Sequence, residues 1–416
     1  MKNFTLADHN HNLKYNLAHE FFWGFGAAFH TLYAVVPLFL KQLNAPNYII
    51  VSTAGIFSIA VAIPTLFSAA LGRNIINIKK SVIRVHCIIL IVAFAMGFTF
   101  SALDSKIVNE AWGIYTLYFV LYAISIGIIV PIWADFLNKS TLKSERGKFF
   151  GVGFAFNSLG SFFGGIALKY LLLYDIEFPK NFGIGFFILF LSLLIATILF
   201  LPFKIKSLNN NKKNQTLNQF FREIVYIIKE HKNFQRYLIS RIFFSANLPG
   251  LGLYAIYCQD KFKFDLSEAG IFTIITVITS GASSFVSGKI GDYYGHKKSM
   301  LIAYLGHLIA AIIAIYAWNM FGVYAIFIAI GVGQGAFMPS AMNFIYNFSS
   351  NSDAKKYMAL IDTTLAPFIF AYIILIGWLI SLSAYLLSIK ILIASLAFSI
   401  VILILLVKNP ENEKVT

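Results

Sequence analysis

The chain has 416 residues, of which 58% are hydrophobic and only 12% are charged, about half the charged fraction of an average soluble domain. This composition excludes a soluble globular protein. Because a membrane-spanning helix needs about 20 apolar residues, the length allows about a dozen spans and excludes a sizeable catalytic domain beside them. We interpret the net charge of +15 as an asymmetry across a bilayer, and we expect no nucleic-acid partner.

Twelve apolar runs follow one another along the chain, and each is long enough to cross hydrocarbon as a helix. The first six lie near residues 19–40, 49–71, 83–103, 112–134, 149–172 and 182–203. The second six lie near residues 237–257, 268–287, 299–317, 321–345, 357–378 and 385–407. They predict an all-α integral membrane protein with twelve transmembrane helices in two pseudo-symmetric six-helix halves, residues 1–203 and 236–416.

The Lys and Arg residues are distributed unequally between the two sets of connections. With the N-terminus inside, 25 of the 33 lie on the inner side and 5 on the outer side. Since basic loops stay in the cytoplasm, both termini are predicted to be cytoplasmic, in a bacterial inner membrane. The polar start of the chain lacks the pattern of a signal peptide.

Residues 204–235 are polar and separate the two sets of runs, so we interpret them as a cytoplasmic linker. The second part, NQFFREIVYIIKE, has helical apolar spacing. It predicts an amphipathic helix that lies along the inner membrane face.

Part of the first half is repeated in the second half at a distance of 208 residues. The matching residues are Gly127, Pro131, Asp135 and Phe136 in the fourth run and Gly335, Pro339, Asn343 and Phe344 in the tenth. Duplicated halves around a central pathway are a recurring architecture of secondary transporters.

The connection between the eighth and ninth runs reads GKIGDYYGHKK. Its glycines allow a tight turn, its carboxylate can interact with a helix N-terminus, and its basic cluster favours the anionic inner leaflet. The residues of this pattern are Gly288, Gly291, Asp292, Gly295, Lys297 and Lys298. The segment resembles the loop signature of the major facilitator superfamily of secondary transporters.

That resemblance implies a gating role for Asp292, which would dock on the opposite half and lock the closed inner gate. A second similar segment, ERGKFFG, places Arg146 at the start of the fifth run. The first-half copy of the loop departs from the signature, since Asn74 stands in the place of the aspartate.

Two ionisable residues lie deep in their runs, Asp362 at about 9 Å and Arg241 at a similar depth, and are the main candidates for coupling or substrate binding. Asp362 lies six residues beyond Lys356, and Arg241 lies five residues beyond Arg236, at about 1.5 Å per residue. The resemblance implies that their helices pack together, so they could meet as a buried pair. A functional or gating pair, a structural pair and an Arg241 that reaches the interface all remain open.

Further candidates are two titratable and three uncharged polar residues within the runs. His30 and Glu20 on the first run are candidates for proton coupling. Asn157, Asn247 and Gln334 can bind substrate or join helices by hydrogen bonds.

These features favour a secondary active transporter that moves a small molecule by alternating access, with protons as the expected coupling ion. No GxxxxGK[ST] phosphate loop occurs in the sequence, and no enzyme activity, metal or cofactor is expected. Few charges and many aromatic residues mildly favour efflux of drug-like or amphiphilic molecules over uptake of an anionic nutrient. A monomer in contact with lipid is expected, and a transporter-like sensor or scaffold that binds ligand without transport remains the alternative.

Overall fold

The computed structural model describes residues 4–71, 75, 77–103, 111–142, 145–206, 217–349 and 354–409. These residues form fifteen α-helices. In chain order they are α1 Leu6–Ala27, α2 Val35–Gln42, α3 Asn47–Leu71, α4 Ile78–Ala102, α5 Trp112–Ser140, α6 Arg146–Leu173, α7 Lys180–Ile198, α8 Leu217–Glu230, α9 Lys232–Phe244, α10 Asn247–Phe262, α11 Glu268–Tyr294, α12 His296–Tyr316, α13 Met320–Ser349, α14 Ala354–Ser381 and α15 Tyr385–Leu405.

Eleven helical stretches of the described residues are long and apolar enough to cross a membrane. The seventh predicted run supplies the remaining segment, but it is not one helix. It is divided into α9 and α10, of 13 and 16 residues, and each is shorter than the usual span. With this correction, the predicted all-α fold of twelve membrane segments in two halves is confirmed.

The first segment of each half is broken at the same place relative to a proline. The first run stops after a 3-10 turn at Ala28–His30 and restarts at α2. Pro37 is the third residue of α2, and Pro249 is the third residue of α10. A proline cannot donate to the carbonyl four residues earlier, but it is tolerated in the first turn of a helix. Each segment therefore ends one helix and begins another just before its proline.

The helix α1 begins well before the apolar run that was predicted at residue 19. The Thr5 hydroxyl accepts from the Asp8 amide at 3.2 Å, and Asp8 Oδ2 accepts from the Thr5 amide at 3.0 Å. This reciprocal capping box stabilises the helix start. The polar N-terminal residues are thus helical, and His9, Asn12 and Asn16 are buried along α1.

The repeat seen in the fourth and tenth runs makes the same contact in both halves. Thr65 on α3 donates to the carbonyl of Gly127 at 3.2 Å, and Ser284 on α11 donates to the carbonyl of Gly335 at 2.6 Å. A Cβ on either glycine would overlap a backbone carbonyl oxygen of the facing helix. The duplicated glycines therefore allow the second and fourth segments of each half to touch.

A reciprocal amide clamp, which the sequence analysis did not anticipate, closes each half. Asn12 Nδ2 donates to the Lys204 carbonyl at 2.7 Å, and the Lys204 amide donates to Asn12 Oδ1 at 2.8 Å. In the second half, Asn233 Nδ2 donates to the Lys408 carbonyl at 3.0 Å, and the Lys408 amide donates to Asn233 Oδ1 at 2.8 Å. Each clamp joins the start of the first segment to the end of the sixth.

Close Cα packing divides the chain into two units. Unit 1 contains Met1–Thr31, Ala60–Gln215 and Leu266–Thr273, and unit 2 contains Leu32–Ile59, Thr216–Asp265 and Ile274–Thr416. Within unit 2, Lys41 Nζ lies 2.6 Å from Asp260 Oδ1, and Asn47 Nδ2 donates to Tyr385 Oη at 2.7 Å. These units follow packing, and the predicted boundaries at residues 203 and 236 stay a prediction.

The predicted linker contains α8, so a helix does lie in its second part. On this helix Val225, Tyr226 and Ile228 are exposed and Ile227 is buried. Its placement along the membrane stays a prediction, and residues 207–216 lie outside the described residues.

We expect Asn12→Ala and Asn233→Ala each to lower the free energy of unfolding by about 2 kcal/mol. Each change leaves a partly buried backbone amide and carbonyl, of Lys204 or of Lys408, without their partner, and a fully buried group in this state costs about 1 to 3 kcal/mol. Denaturant unfolding of the purified protein measures the effect, with Asn10→Ala on the exposed face of α1 as the control. If the control variant loses as much stability, the clamps do not hold the halves closed.

Candidate functional site

A buried carboxyl lies between α1 and α6 in unit 1. Glu20 is 6% exposed, and Asn157 Nδ2 donates to its Oε2 at 3.0 Å. Asn16 lies one turn earlier on α1 and is buried, with an Oδ1 atom that has no partner. Among the described residues no Lys, Arg or His nitrogen lies within 4.0 Å of Glu20. The predicted candidates Glu20 and Asn157 therefore meet in one polar cluster that has no counter-charge.

A guanidinium group lies among aromatic rings in unit 2. The Arg241 carbon Cζ is 4.4 Å from the ring centroid of Phe337 and 5.9 Å from that of Phe244. Arg241 Nη1 is 3.5 Å from Tyr237 Oη, a marginal hydrogen bond, and its Nε is buried without a partner among the described residues. The guanidinium thus contacts aromatic rings while one of its donors is unpaired.

The expected ion pair between Arg241 and Asp362 is not formed. Within the described chain, the two groups interact electrostatically, but no nitrogen–oxygen distance of 4.0 Å or less joins them. Asp362 is half-buried on α14.

Glu20 and Arg241 occupy equivalent positions in the two halves. Each lies eight residues beyond the asparagine of its amide clamp. Glu20 and Arg241 are therefore 221 residues apart, as are Asn12 and Asn233. Between them, His19 Nδ1 binds the Ala196 carbonyl at 2.9 Å, and Ser240 Oγ, 221 residues later, binds the Ser399 carbonyl at 2.9 Å. The duplication thus keeps the position and inverts the charge.

His30 lies at the break after α1, inside an aromatic cage. Its Nε2 is 3.0 Å from Tyr115 Oη. Its ring centroid lies 4.7 Å from that of Tyr122, 5.7 Å from Phe119 and 6.0 Å from Phe186. The imidazole already has a hydrogen-bond partner, and its role in coupling stays a prediction.

The two remaining uncharged candidates differ in what they contact. Asn247 Nδ2 donates to the Phe244 carbonyl at 2.8 Å, so this side chain satisfies a carbonyl that the break before α10 leaves open. Gln334 is half-buried on α13. Roles in substrate binding stay predictions for both.

The structure explains why two positions of the signature loop are glycines. Gly295 has a φ of 87°, a conformation that favours glycine. A Cβ on Gly291 would overlap the His296 ring, whereas Gly288 has open space around it. The side chains of Asp292 and Arg146 lie outside the described residues, as does Asn74, so the gating role stays a prediction.

Lys297 ties the signature loop to the end of the sixth segment of its half. Its Nζ donates to the Ile404 carbonyl at 2.8 Å, and in the first half Lys79 Nζ donates to the Phe203 carbonyl at 3.0 Å. A cation at a helix C-terminus is favourable for the carbonyl groups there. Lys298 instead lies over the ring of Tyr294, 4.8 Å from its centroid.

Unit 1 contains a buried pair of histidines that was not predicted from the sequence. The rings of His19 and His86 lie 6.3 Å apart, and the Phe200 ring packs against both. Each Nδ1 lies against a backbone carbonyl, of Ala196 at 2.9 Å and of Val82 at 2.7 Å, and His86 Nε2 has no partner. Nothing in the spacing of the two runs could join these residues before α1, α4 and α7 were packed.

The helices, their duplicated contacts and the buried charges define an integral membrane protein with the architecture of secondary transporters. A sequence model described as the Major Facilitator Superfamily matches residues 237–416. No curated protein matches the chain in sequence.

Solved structures of transporters are similar to the chain over nearly its whole length. The D-xylose–proton symporter has a TM-score of 0.72 at 13% identity and covers 97% of this chain and 99% of its own. A mutant of the nucleoside transporter NupG has a TM-score of 0.68 at 12% identity, with 94% and 99% covered. A POT family transporter in complex with 5-aminolevulinic acid has a TM-score of 0.68 at 13% identity, with 97% and 96% covered.

The resemblance to the major facilitator superfamily is therefore confirmed. Residues 237–416 match the family's sequence model, and the chain as a whole shares the fold of these solved transporters.

We expect Lys297→Met to lower the free energy of unfolding by about 1 kcal/mol, because the Ile404 carbonyl loses a charged hydrogen-bond donor. Lys298→Met is the matched control and should change it by less than about 0.5 kcal/mol, as exposed substitutions usually do. Denaturant unfolding of both variants measures the difference. Equal losses would contradict the tether.

Proposed function

We propose that this protein is a secondary active transporter that moves a small molecule across the membrane by alternating access and couples this movement to protons. The fold and the sequence match of the second half support the transporter class. One of the similar structures is that of a D-xylose–proton symporter, so a protein of this fold uses protons. Membrane lipid and a small-molecule substrate are the proposed partners of a monomer.

The Glu20 cluster is the observation that carries the proton coupling. A buried carboxylate without a counter-charge is costly in a low-dielectric environment. Glu20 has one amide donor from Asn157, and no described cation lies within 4.0 Å of it. A group in this setting can take up a proton and lose it again when water reaches it from the other side, as alternating access requires.

The proposed setting is a bacterial cytoplasmic membrane with both termini on the cytoplasmic side. The excess of Lys and Arg in one set of connections supports this orientation. Among the described residues, Lys79 and Lys297 lie on the predicted cytoplasmic side of their halves.

Two further readings compete with this proposal. The first is a transporter-like sensor, which would bind the same ligand without moving it.

The second concerns the substrate: the sequence mildly favours efflux of drug-like molecules, whereas the unpaired edge of Arg241 favours an anionic substrate.

The first experiment measures proton movement in proteoliposomes of the purified full chain that contain a pH-sensitive dye. Acetate, benzoate, D-xylose, uridine, 5-aminolevulinic acid and ethidium are added one at a time under an imposed gradient. We expect a saturable, substrate-dependent pH change for one chemical class. Binding without flux under any gradient would favour the sensor.

We expect Glu20→Gln to reduce substrate-driven proton flux by at least about 10-fold while exchange of the same substrate continues. The amide keeps the shape and the contact region of the carboxyl but cannot carry the proton. Glu177→Gln is the control, since the Glu177 side chain is 63% exposed. Unchanged proton flux in Glu20→Gln would remove Glu20 from the coupling mechanism.

A further inference from the structure

The guanidinium of Arg241 has a donor that the described protein does not satisfy. Its Nε is buried and has no hydrogen-bond partner. Nη1 reaches only Tyr237 Oη, at 3.5 Å. A charged group whose donors are not all paired is costly to bury, so this unpaired N–H is a favourable place for an anion to bind.

The aromatic neighbours determine from which direction an anion can approach. Cζ of the guanidinium lies over the Phe337 ring, 4.4 Å from the ring centroid. The ring occupies that side of the guanidinium, so an anion has to approach from another side. One edge presents the N–H groups of Nε and Nη2 side by side, a pair that matches the two oxygens of a carboxylate.

The protein's own carboxylate does not fill this edge. Asp362 is near enough for its charge to act on Arg241, yet it makes no contact within 4.0 Å among the described residues. It lowers the cost of the buried cation when the site is empty. It also repels any anion that binds there, so a ligand with a single negative charge is favoured over a dianion.

The surroundings of Arg241 argue against a lipid headgroup as the partner. Tyr237 and Phe244 lie close to Arg241 on α9, four residues before it and three after, and both are buried. Residues at these spacings share one face of a helix. That face is covered by protein, and the Tyr304 ring stacks on Phe244 at 3.9 Å.

We infer that the Nε and Nη2 edge of Arg241 is a carboxylate-binding subsite and that the transported molecule is an organic monoanion. The claim that this molecule is transported rests on the proposed function, whereas the claim that it binds at Arg241 does not. Asp362 acts as a competing charge that the substrate has to overcome. A drug-like cation would be repelled by this site.

Binding is tested by NMR of the full-length protein labelled with 15N-arginine in neutral lipid nanodiscs. The chain has few arginines, and Arg241→Lys identifies the Nε–H resonance of Arg241. Acetate is the probe because it is small enough for any carboxylate-binding edge. We expect a saturable shift of this resonance with acetate and none with acetamide or chloride. The resonance of Arg236, which faces the Leu406 carbonyl at 3.4 Å, is the internal control.

Asp362→Asn provides the second arm of the experiment. Removal of the competing charge should strengthen acetate binding by about 10-fold, because a carboxylate that acts on the same guanidinium repels an incoming anion. Weaker binding in this variant would overturn the competing role of Asp362.

The remaining outcomes separate the sources of the anion. No saturable acetate shift in the wild-type protein overturns the subsite. A shift caused by inorganic phosphate at lower concentration than acetate would contradict the preference of the subsite for carboxylates. A shift caused by anionic phosphatidylglycerol alone would contradict the inference that the bound anion is a substrate. Acetate binding without flux of any carboxylate in proteoliposomes leaves the subsite intact and contradicts the proposed transport.

Discussion

A chain segment that crosses hydrocarbon has to satisfy every backbone N–H and C=O within the protein, and the rest of this structure depends on that requirement. Continuous helices meet it in most segments. Pro37 and Pro249 remove a donor, so the first segment of each half stops and restarts. At the second break, the Asn247 side chain binds the Phe244 carbonyl. Ala28 and Ala246, beside the two breaks, are buried, so the irregular backbone is shielded by protein.

The two halves reuse their contacts and differ where chemistry is placed. The clamps at Asn12 and Asn233 and the tethers of Lys79 and Lys297 occur in both halves, and each binds the end of the sixth segment of its half. A contact that closes a helix bundle is useful in both halves and is kept. The equivalent positions 20 and 241 instead carry opposite charges, so the halves differ in charge at this position within one common frame.

Much of the fold followed from the sequence because apolar length and charge placement are one-dimensional signals. Twelve runs, the repeat at 208 residues and the pair of Asp135 with Lys139, at 2.9 Å, were all predictable. The proline breaks had a signal that was missed, namely Pro37 and Pro249 at the same depth in their runs. The histidine pair and the separation of Arg241 from Asp362 depend on how helices rotate against each other. No spacing in the sequence reports that rotation, so the site roles stay predictions.

The amide clamps also decide where the chain of each half begins and ends. Asn12 meets Lys204 and Asn233 meets Lys408, so the two ends of each six-helix half lie side by side. Because its two ends are adjacent, each half could be joined end to end without a change in its packing. New termini opened in a loop, with the old ends joined by a short connector, leave every clamp in place. We therefore expect each half to tolerate circular permutation.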